Sequence, residues 1–393
     1  MLKNTLLKSL TITAFLIIIM NASLYSATPI PSQAWSRDIA GGGYLDGASI
    51  GGFGAGTISW RFDGNFYKQR LNIGAGNDTG SAFTADSVAK FYMYQKPASG
   101  SASTKKLDAA TLGAGQAKYY SLFPKAWVDY YGSSFAIKAT VTQFSPIIPN
   151  DLTRTSYPVG IYEWELYNPN SESYDVAVML SWQNNDFSGA NAQAQLSGTN
   201  RGIVLRSGIL NPTNKNQGEF CIAAGGGTGI TTSYLSAAAI GTIETDFSAD
   251  GVLGNTVGNN TIGAIAFKVT LEPGETRRIP IVISWDIPIA QPASGSKWYR
   301  KYTRHWTRTG QNSWAIAQDA LNNRASYESQ IDAWQDEILT NAYYPEWLKS
   351  MLFNELYIYF TGGTIWEAGA ASGQADNANE DMFSHLESYI YPF

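Results

Sequence analysis

The sequence has little charge and almost no cysteine or histidine. It contains one cysteine, Cys221, and two histidines, His305 and His385, among 393 residues. One cysteine cannot form an intrachain disulfide, and the spacing of these residues matches no metal site. Charged residues make up only 15% of the chain, the formal net charge is −5, and there is no basic run. This argues against a nucleic-acid partner, and we expect no metal and no cofactor.

The glycine-rich region near residue 50 supports neither a nucleotide-binding site nor a serine hydrolase. The glycine-rich stretch at residues 50–57, IGGFGAGT, does not have the G-x-G-x-x-G spacing, and a strand-like segment follows it instead of a helix. The spacing G-x-S-x-G occurs once, at residues 47–51 (GASIG), but no helix pattern follows it, so it does not support a serine hydrolase. We expect these glycines to allow sharp turns and close backbone packing rather than to bind phosphate.

Residues 1–27 have the pattern of a secretory signal peptide. Lys3 and Lys8 give a positive start, residues 10–20 are apolar, and residues 21–27 are mostly small or polar. The apolar stretch is shorter than the roughly 20 residues that span a bilayer. We therefore expect an exported protein, extracellular or periplasmic, without a stable membrane span. An uncleaved anchor is the alternative.

Aromatic residues are abundant. They make up 13% of the chain, with twelve Trp and twenty-three Tyr, and glycine occurs 38 times. This composition is common in secreted carbohydrate-active proteins, because sugar rings stack on aromatic rings. A large β-sandwich core with tyrosine-rich edges explains it as well, and composition alone favours that explanation slightly.

Strand signals extend from about residue 42 to residue 288. Residues 161–167 and 176–182 alternate in polarity on either side of a polar turn, which predicts a hairpin. Residues 262–271 and 279–287 flank a Pro-Gly turn. Many such segments without intervening helices predict an antiparallel two-sheet β-sandwich, which we assign to residues 28–290.

The pattern then changes to that of helices. Apolar residues recur every three or four positions across residues 312–339, as on one face of a helix. Residues 344–360 predict a second helix, with Pro345 in its first turn and two glycines after its end. We assign residues 291–340 to linking helices and residues 341–393 to the beginning of a helical domain.

Carboxylates near the end of the sequence are the candidate catalytic groups. Asp376, Glu380, Asp381 and Glu387 occur within twelve residues, and hydrolysis of a glycosidic bond needs two carboxyl groups. An acidic loop is more often simply solvated. Glu387 differs, because its neighbours are mostly apolar or aromatic, which suggests a half-enclosed wall.

Several segments resemble glycoside hydrolase family 116, the family of non-lysosomal glucosylceramidase and bacterial β-glucosidases. Residues 345–357 and the GGTIW sequence at 362–366 are similar to the first helical region of its catalytic domain. Residues 50–56 resemble the beginning of its N-terminal β domain, and residues 298–304 resemble its linking region. The resemblance covers essentially all of the chain after residue 27.

This resemblance implies a two-sheet β domain joined to an (α/α)6 barrel, and retaining hydrolysis of β-glucosides in glycolipids or oligosaccharides. The family's nucleophile lies in a Leu-Glu pair within an aromatic segment, which implies Glu387 as nucleophile. Trp366 and His385 are then candidate substrate contacts, although His385 stands where the family has an apolar or aromatic residue.

The family's acid/base Asp lies further along the chain than residue 393. We therefore expect an N-terminal fragment that ends just after the nucleophile segment and is inactive by itself. The alternative is a non-catalytic secreted module that binds carbohydrate or has a structural role. The sequence predicts no oligomeric state.

Overall fold

The computed structural model describes residues 29–41, 47–71, 81–82, 88–183, 191–207, 217–235, 240–254, 262–291, 297–361, 364–371 and 383–385. The predicted signal peptide and Glu387 lie outside these ranges. Within the described residues no helix is both long and apolar enough to cross a membrane.

Strands dominate the described residues. In chain order they are β1 (Trp35–Asp38), β2 (Ala48–Ile50), β3 (Thr57–Trp60), β4 (Phe66–Arg70), β5 (Ser81–Ala82), β6 (Lys90–Pro97), β7 (Ser103–Lys106), β8 (Ala117–Leu122), β9 (Lys125–Tyr130), β10 (Lys138–Phe144), β11 (Val159–Tyr167), β12 (Tyr174–Gln183), β13 (Asn191–Ser197), β14 (Asn200–Arg206), β15 (Glu219–Ala224), β16 (Ile230–Leu235), β17 (Ile262–Leu271), β18 (Thr276–Asp286), β19 (Ile289–Ala290), β20 (Trp298–Arg300), β21 (Thr364–Ala370) and β22 (Phe383–His385). The α-helices are α1 (Ala109–Leu112), α2 (Leu152–Thr155), α3 (Ile240–Asp250), α4 (Ser313–Leu339), α5 (Glu346–Asn354) and α6 (Ile358–Thr361), with 3-10 helices at Lys301–Arg304 and Glu355–Tyr357.

Two large antiparallel sheets form the centre of the fold. The nine-stranded sheet has the order β1-β8-β9-β10-β11-β18-β15-β14-β13, and the five-stranded sheet has the order β16-β17-β12-β6-β7. Two smaller sheets have the orders β2-β3-β4-β5 and β19-β20-β21-β22. The predicted antiparallel, sandwich-like β architecture is confirmed.

The alternation of side chains on β11 explains how the sheets pack. Successive residues of a strand point to opposite faces. Tyr162 and Trp164 join the main core, which also contains Val178 of the five-stranded sheet. Val159 and Ile161 point the other way, into a second core on the outer face of the nine-stranded sheet. Both faces of the central strands are therefore buried.

Helices cover the two outer faces. On the nine-stranded sheet, α4 contributes Ile316 and Leu321 to the second core. On the five-stranded sheet, α3 contributes Ile243 and Phe247 to a third core. The order of layers is helix, sheet, sheet, helix. The helix predicted over residues 312–339 is confirmed as α4, whereas α3 was not predicted from the sequence.

The predicted hairpin of residues 161–167 and 176–182 is wrong. Strand β11 pairs with β10 and β18, whereas β12 belongs to the other sheet and pairs with β17 and β6. The turn between them crosses from one sheet to the other. It is fixed by the fully buried Asn168, whose Nδ2 donates to the carbonyls of Glu172 and Leu271 at 2.8 and 3.0 Å. This side chain also ties down the end of β17, just before the β17–β18 turn.

The region after residue 341 combines helices with strands. The helix predicted over residues 344–360 is divided into α5, a 3-10 turn and α6. A strand, β21, follows, and it pairs with both β20 and β22. This strand was not predicted from the sequence. The described residues do not establish an (α/α)6 barrel, so that prediction and the division at residues 290 and 340 stay predictions.

Candidate active site

The glycine-rich loop between β2 and β3 is packed against its surroundings on several sides. Gly51 has φ +120°, and a Cβ there would lie 2.3 Å from the carbonyl oxygen of Gly56. The amide of Gly51 donates to Ser145 Oγ at 2.7 Å, and the Trp285 indole donates to the carbonyl of Ala55 at 3.0 Å. The prediction that these glycines serve close packing and turns is confirmed.

Gly54 marks the contact between this loop and β21. It has φ +73°, and a Cβ there would lie 2.4 Å from Trp366 Cβ and 2.6 Å from the Trp366 backbone nitrogen. The neighbouring Phe53 ring meets Trp366 edge-on at 5.7 Å and Phe360 at 5.2 Å between centroids. A strand from the C-terminal part of the chain therefore rests directly on a loop from the N-terminal part.

Arg300 at the end of β20 joins three segments at this contact. Its side chain is fully buried and donates to the carbonyls of Ile287 and Gly54, both at 3.0 Å, and to that of Leu71. Burial lowers the pKa of Arg300 to about 10. The guanidinium therefore stays charged at neutral pH, with backbone carbonyls taking the place of its hydration shell.

Cationic side chains also hold β21. Lys301 Nζ lies 4.9 Å from the centre of the Trp366 ring, and both side chains are 7% exposed. Arg308 Nη2 donates to the carbonyl of Ala368 at 2.8 Å while its guanidinium lies over the Tyr299 ring at 4.2 Å. Trp366, a predicted substrate contact, is thus packed into the junction. Its role in binding substrate stays a prediction.

A small cleft opens beside this junction. It has room for about one water molecule, well below the size of an ordinary ligand pocket. Tyr359, at its edge, is 46% exposed. The cleft is lined by Gly52, Gly54, Gly56, Thr57, Arg70, Tyr359, Phe360 and Thr364.

The pairing of β21 with β22 brings the backbone of His385 beside the cleft. Thr364 pairs with His385, and Trp366 pairs with Phe383. The structure therefore brings Trp366 and the backbone of His385 onto neighbouring strands beside the cleft. Glu387, the predicted nucleophile, is two residues further and lies outside the described residues.

Sequence reasoning missed a pair of buried carboxylates at the N-terminus of α4. Glu219 and Asp286 are directly opposite on β15 and β18 and are both fully buried. Glu219 accepts hydrogen bonds from Ser313 N and Oγ and from Arg206. Asp286 accepts from the backbone and side chain of Asn312 and from the Tyr302 hydroxyl. The only signal in the sequence was Asn-Ser at a helix start.

These two carboxylates have a structural role. Burial raises the pKa of Asp286 to about 6, against the lowering effect of its hydrogen bonds to Asn312 and Tyr302, and Glu219 adds a like charge. Neither side chain is exposed to solvent. One oxygen of each accepts from the start of α4, and the other accepts from Arg206 or Tyr302. They attach the helix to the sheet, where its positive N-terminal end favours anions.

Two carboxylates of β11 form ion pairs beside α4. Arg324 lies 2.9 Å from Glu163, and Arg278 lies 3.1 Å from Glu165. Burial raises the pKa of Glu163, and the Arg324 charge opposes this.

His305 packs near Tyr157, and burial together with the charges of Lys301 and Arg304 lowers the pKa of His305. No cluster of His, Cys, Asp and Glu in the described ranges could hold a metal ion.

A family model described as "beta-glucosidase 2, glycosyl-hydrolase family 116 N-term" matches residues 47–327. The chain belongs to this family. The matched range begins just before the glycine-rich loop, contains nearly all of both large sheets and ends within α4. The resemblance found in the sequence is confirmed, and with it membership of a glycoside hydrolase family.

Solved structures with a distant likeness add nothing about activity. A putative kojibiose phosphorylase from human microbiome is 11% identical, with a TM-score of 0.38, over 84% of this chain and 39% of its own. A family GH92 α-mannosidase from Bacteroides thetaiotaomicron is 10% identical, with a TM-score of 0.36, over 88% of this chain and 42% of its own. Both scores are too low to support an argument. The chain spans about two fifths of the length of these proteins.

Proposed function

We propose that this chain is the N-terminal part of a retaining β-glycosidase of the β-glucosidase or glucosylceramidase type. Its substrate would be a β-glucoside in a glycolipid or an oligosaccharide. The observation that carries the proposal is the family match over residues 47–327, whose description names a β-glucosidase. Residues 341–393 would begin the (α/α)6 catalytic barrel of that enzyme.

Glu387 is the proposed nucleophile. Its ionised carboxylate would attack the anomeric carbon and form a covalent glycosyl-enzyme, while a protonated carboxylic acid about 5 to 5.5 Å away protonates the leaving oxygen. The same acid, then ionised, would activate the water that releases the sugar. That second group is the Asp that the family resemblance assigns to a position beyond residue 393.

The described hairpin supports this assignment. Strand β22 reaches His385 beside Thr364, which lines the cleft together with the glycine-rich loop. Glu387 follows His385 by two residues in the sequence. Trp366 and His385 are the proposed substrate contacts there.

Replacement of Glu387 in the full-length protein tests the mechanism. Glu387→Gln keeps the shape and removes the charge, so we expect kcat on an aryl β-glucoside to fall by several orders of magnitude while substrate still binds. Glu387→Ala should be partly rescued by azide, which attacks from the vacated face and gives the α-glycosyl azide. Glu380→Gln and Asp381→Asn are matched controls with near-normal rates expected.

A mechanism-based 2-deoxy-2-fluoro glucoside identifies the nucleophile directly. We expect peptide mass mapping to find the label at Glu387. A label at Glu380 or Asp381 would move the nucleophile. Normal rates for Glu387→Gln would remove the proposed mechanism.

Residues 28–393 alone are proposed to be inactive, because two carboxylates that act as a unit lose nearly all rate when one is missing. Turnover of an aryl β-glucoside by this segment, well above its Glu387→Gln variant, would contradict this. Oligosaccharide binding without turnover, in the segment and in the full-length protein alike, would instead favour the non-catalytic module.

Export is proposed from the signal-like residues 1–27. Expression with the native N-terminus in a bacterial host, followed by N-terminal sequencing, should find the mature chain outside the cytoplasm and starting near Ala27. A cytoplasmic product that begins at Met1 would exclude it.

A further inference from the structure

We propose that the glycine-rich loop of the β domain positions the catalytic nucleophile, with Gly54 and Phe53 as positioning residues for the hairpin of β21 and β22. This inference rests on the proposed function, because it takes Glu387 as the nucleophile. The glycine-rich loop would then contribute to the reaction as well as to packing.

The glycine-rich loop contacts the backbone of β21 at Gly54. At Gly54 the loop touches the main chain of Trp366, since the missing Cβ would lie 2.6 Å from its backbone nitrogen and 3.0 Å from its Cα. A side chain can rotate away from such a contact, whereas a strand backbone can only move as a whole. Gly54 therefore sets how closely β21 approaches the β domain.

Buried hydrogen bonds hold the glycine-rich loop in place. Arg300 donates to the Gly54 carbonyl, and the indole of Trp285 donates to that of Ala55, both from fully buried side chains. Ser145 Oγ accepts from the Gly51 amide and donates to the carbonyl of Val159 on β11. The loop is thereby fixed to the nine-stranded sheet. A clash at Gly54 must be relieved on the β21 side.

Strand β21 is linked to the proposed nucleophile through β22. Strand β22 is hydrogen-bonded along Thr364–Trp366, and Glu387 follows β22 by two residues. A displacement of β21 at Trp366 is therefore passed to β22 and to the residues attached to it. Phe53 adds to this, because its ring contacts both Trp366 and Phe360.

The size of the effect follows from the distances. Ordinary contacts of a Cβ begin at 3.4 Å, so a Cβ at 54, which would start 2.4 Å from Trp366, pushes β21 back by about 1 Å. A misplacement of about 1 Å of a catalytic group can cost about 100-fold in rate. We therefore expect Gly54→Ala to reduce kcat by about 10- to 100-fold, with a smaller change in KM.

Gly115 offers a matched control. It has the same φ of +73°, but no atom lies within 4 Å of the Cβ that an alanine would add. Gly115→Ala therefore introduces a similar left-handed strain without touching β21. Both variants are made in the full-length protein. The readouts are kcat and KM on an aryl β-glucoside, the rate of labelling by the 2-deoxy-2-fluoro glucoside, and amide hydrogen exchange of residues 364–371.

The expected result is a selective one. Gly54→Ala should slow turnover and labelling by the same factor and speed exchange in residues 364–371, whereas Gly115→Ala should leave all three unchanged per folded molecule. Equal kcat in the two variants would overturn the inference and leave the proposed function standing. A parent enzyme that neither turns over nor becomes labelled would overturn the proposed function, and this inference with it.

A second variant covers the case in which Gly54→Ala does not fold. Phe53→Leu removes the ring contacts to Trp366 and Phe360 but keeps an apolar side chain. Phe247→Leu, in the distant core under α3, is its control. We expect a several-fold loss of kcat and faster exchange of residues 364–371 for Phe53→Leu only. Equal kcat in these two variants would overturn the inference.

Discussion

Glu219 and Asp286 lie opposite each other on neighbouring strands, and each carboxylate accepts hydrogen bonds from one of the two residues that begin α4. Two anions thus meet the positive end of a 27-residue helix in a fully buried site. Because burial raises the pKa of Asp286 to about 6, the attachment of α4 to the sheet depends on pH.

The charge of Asp286 should make folding less favourable as pH rises. Its folded pKa of about 6 exceeds its ordinary value of 3.8, so between these values the folded state holds a proton that the unfolded state has released. Stability from this group is complete below about pH 4 and falls by roughly 3 kcal/mol as pH rises to about 6 and above. In Asp286→Asn this decrease should be absent. Urea unfolding from pH 4 to pH 8 measures the difference.

The Asp286→Asn side chain can keep the main hydrogen bonds, since its oxygen can accept from Asn312 and its amide can donate to the Tyr302 hydroxyl. We therefore expect folding at every pH tested. Asp336→Asn, on the exposed side of α4, controls for the loss of one charge. Parallel stability curves for the parent and Asp286→Asn would show that the proton is not held in the folded state.

Arg300→Lys should destabilise the protein by about 3 kcal/mol or more. An ammonium group cannot reach three carbonyls in three segments, and each buried acceptor left unpaired costs about 1 to 3 kcal/mol. Thermal and urea unfolding measure the loss. Arg277→Lys, at a side chain that is 60% exposed, should change stability by less than about 0.5 kcal/mol. Equal melting temperatures for the two variants would contradict the role given to Arg300.

Asn168→Asp should be more damaging than Asn168→Ala at neutral pH. Alanine leaves the carbonyls of Glu172 and Leu271 unpaired, at a cost of about 2 to 3 kcal/mol. Aspartate replaces the donating amide by an oxygen that faces those carbonyls. It should regain stability at acidic pH, where a protonated carboxyl can donate one hydrogen bond. Unfolding at pH 5 and pH 8 tests this, and an Asp variant that is insensitive to pH would contradict it.

Secondary structure that depends on nearby residues was predicted from local sequence patterns. The period of α4 is visible because its apolar residues all meet one sheet, so the helix over residues 312–339 was confirmed to within one residue. The alternation of β11 was equally clear, with Tyr162 and Trp164 on one face. The antiparallel β class followed from many such segments.

Which strands pair could not be predicted in the same way. Strands β11 and β12 are neighbours in sequence, yet they belong to different sheets, because the turn at Asn168 is stabilised by the carbonyl of Leu271, about 100 residues away. Strand β21 was missed for a related reason. Its partner β20 ends more than 60 residues earlier, and its own sequence, with a glycine near its end, has a weak strand pattern.

The site was predictable only in part. The packing role of the glycine-rich loop followed from the absence of a nucleotide-binding spacing, but its partner Trp366 could not be read from the sequence, because that contact spans over 300 residues. Lone carboxylates in strands look like solvated residues, so Glu219 and Asp286 gave no signal. Glu387 lies outside the described residues and stays a prediction.

The length of α4 limits how proteins of this kind can be divided or altered. Its 27 residues extend about 40 Å, from Asp286 at one end to Phe123 near the other, where Gln335 donates to the Phe123 carbonyl at 2.9 Å. A polypeptide ended at residue 327, where the family match stops, would lose that second attachment and uncover Phe123. One residue inserted between Leu321 and Trp334 would turn Trp334 by about 100° away from the Phe123 ring. Hybrid proteins should therefore be joined after residue 340, and single-residue insertions or deletions within the helix should be rare among natural relatives.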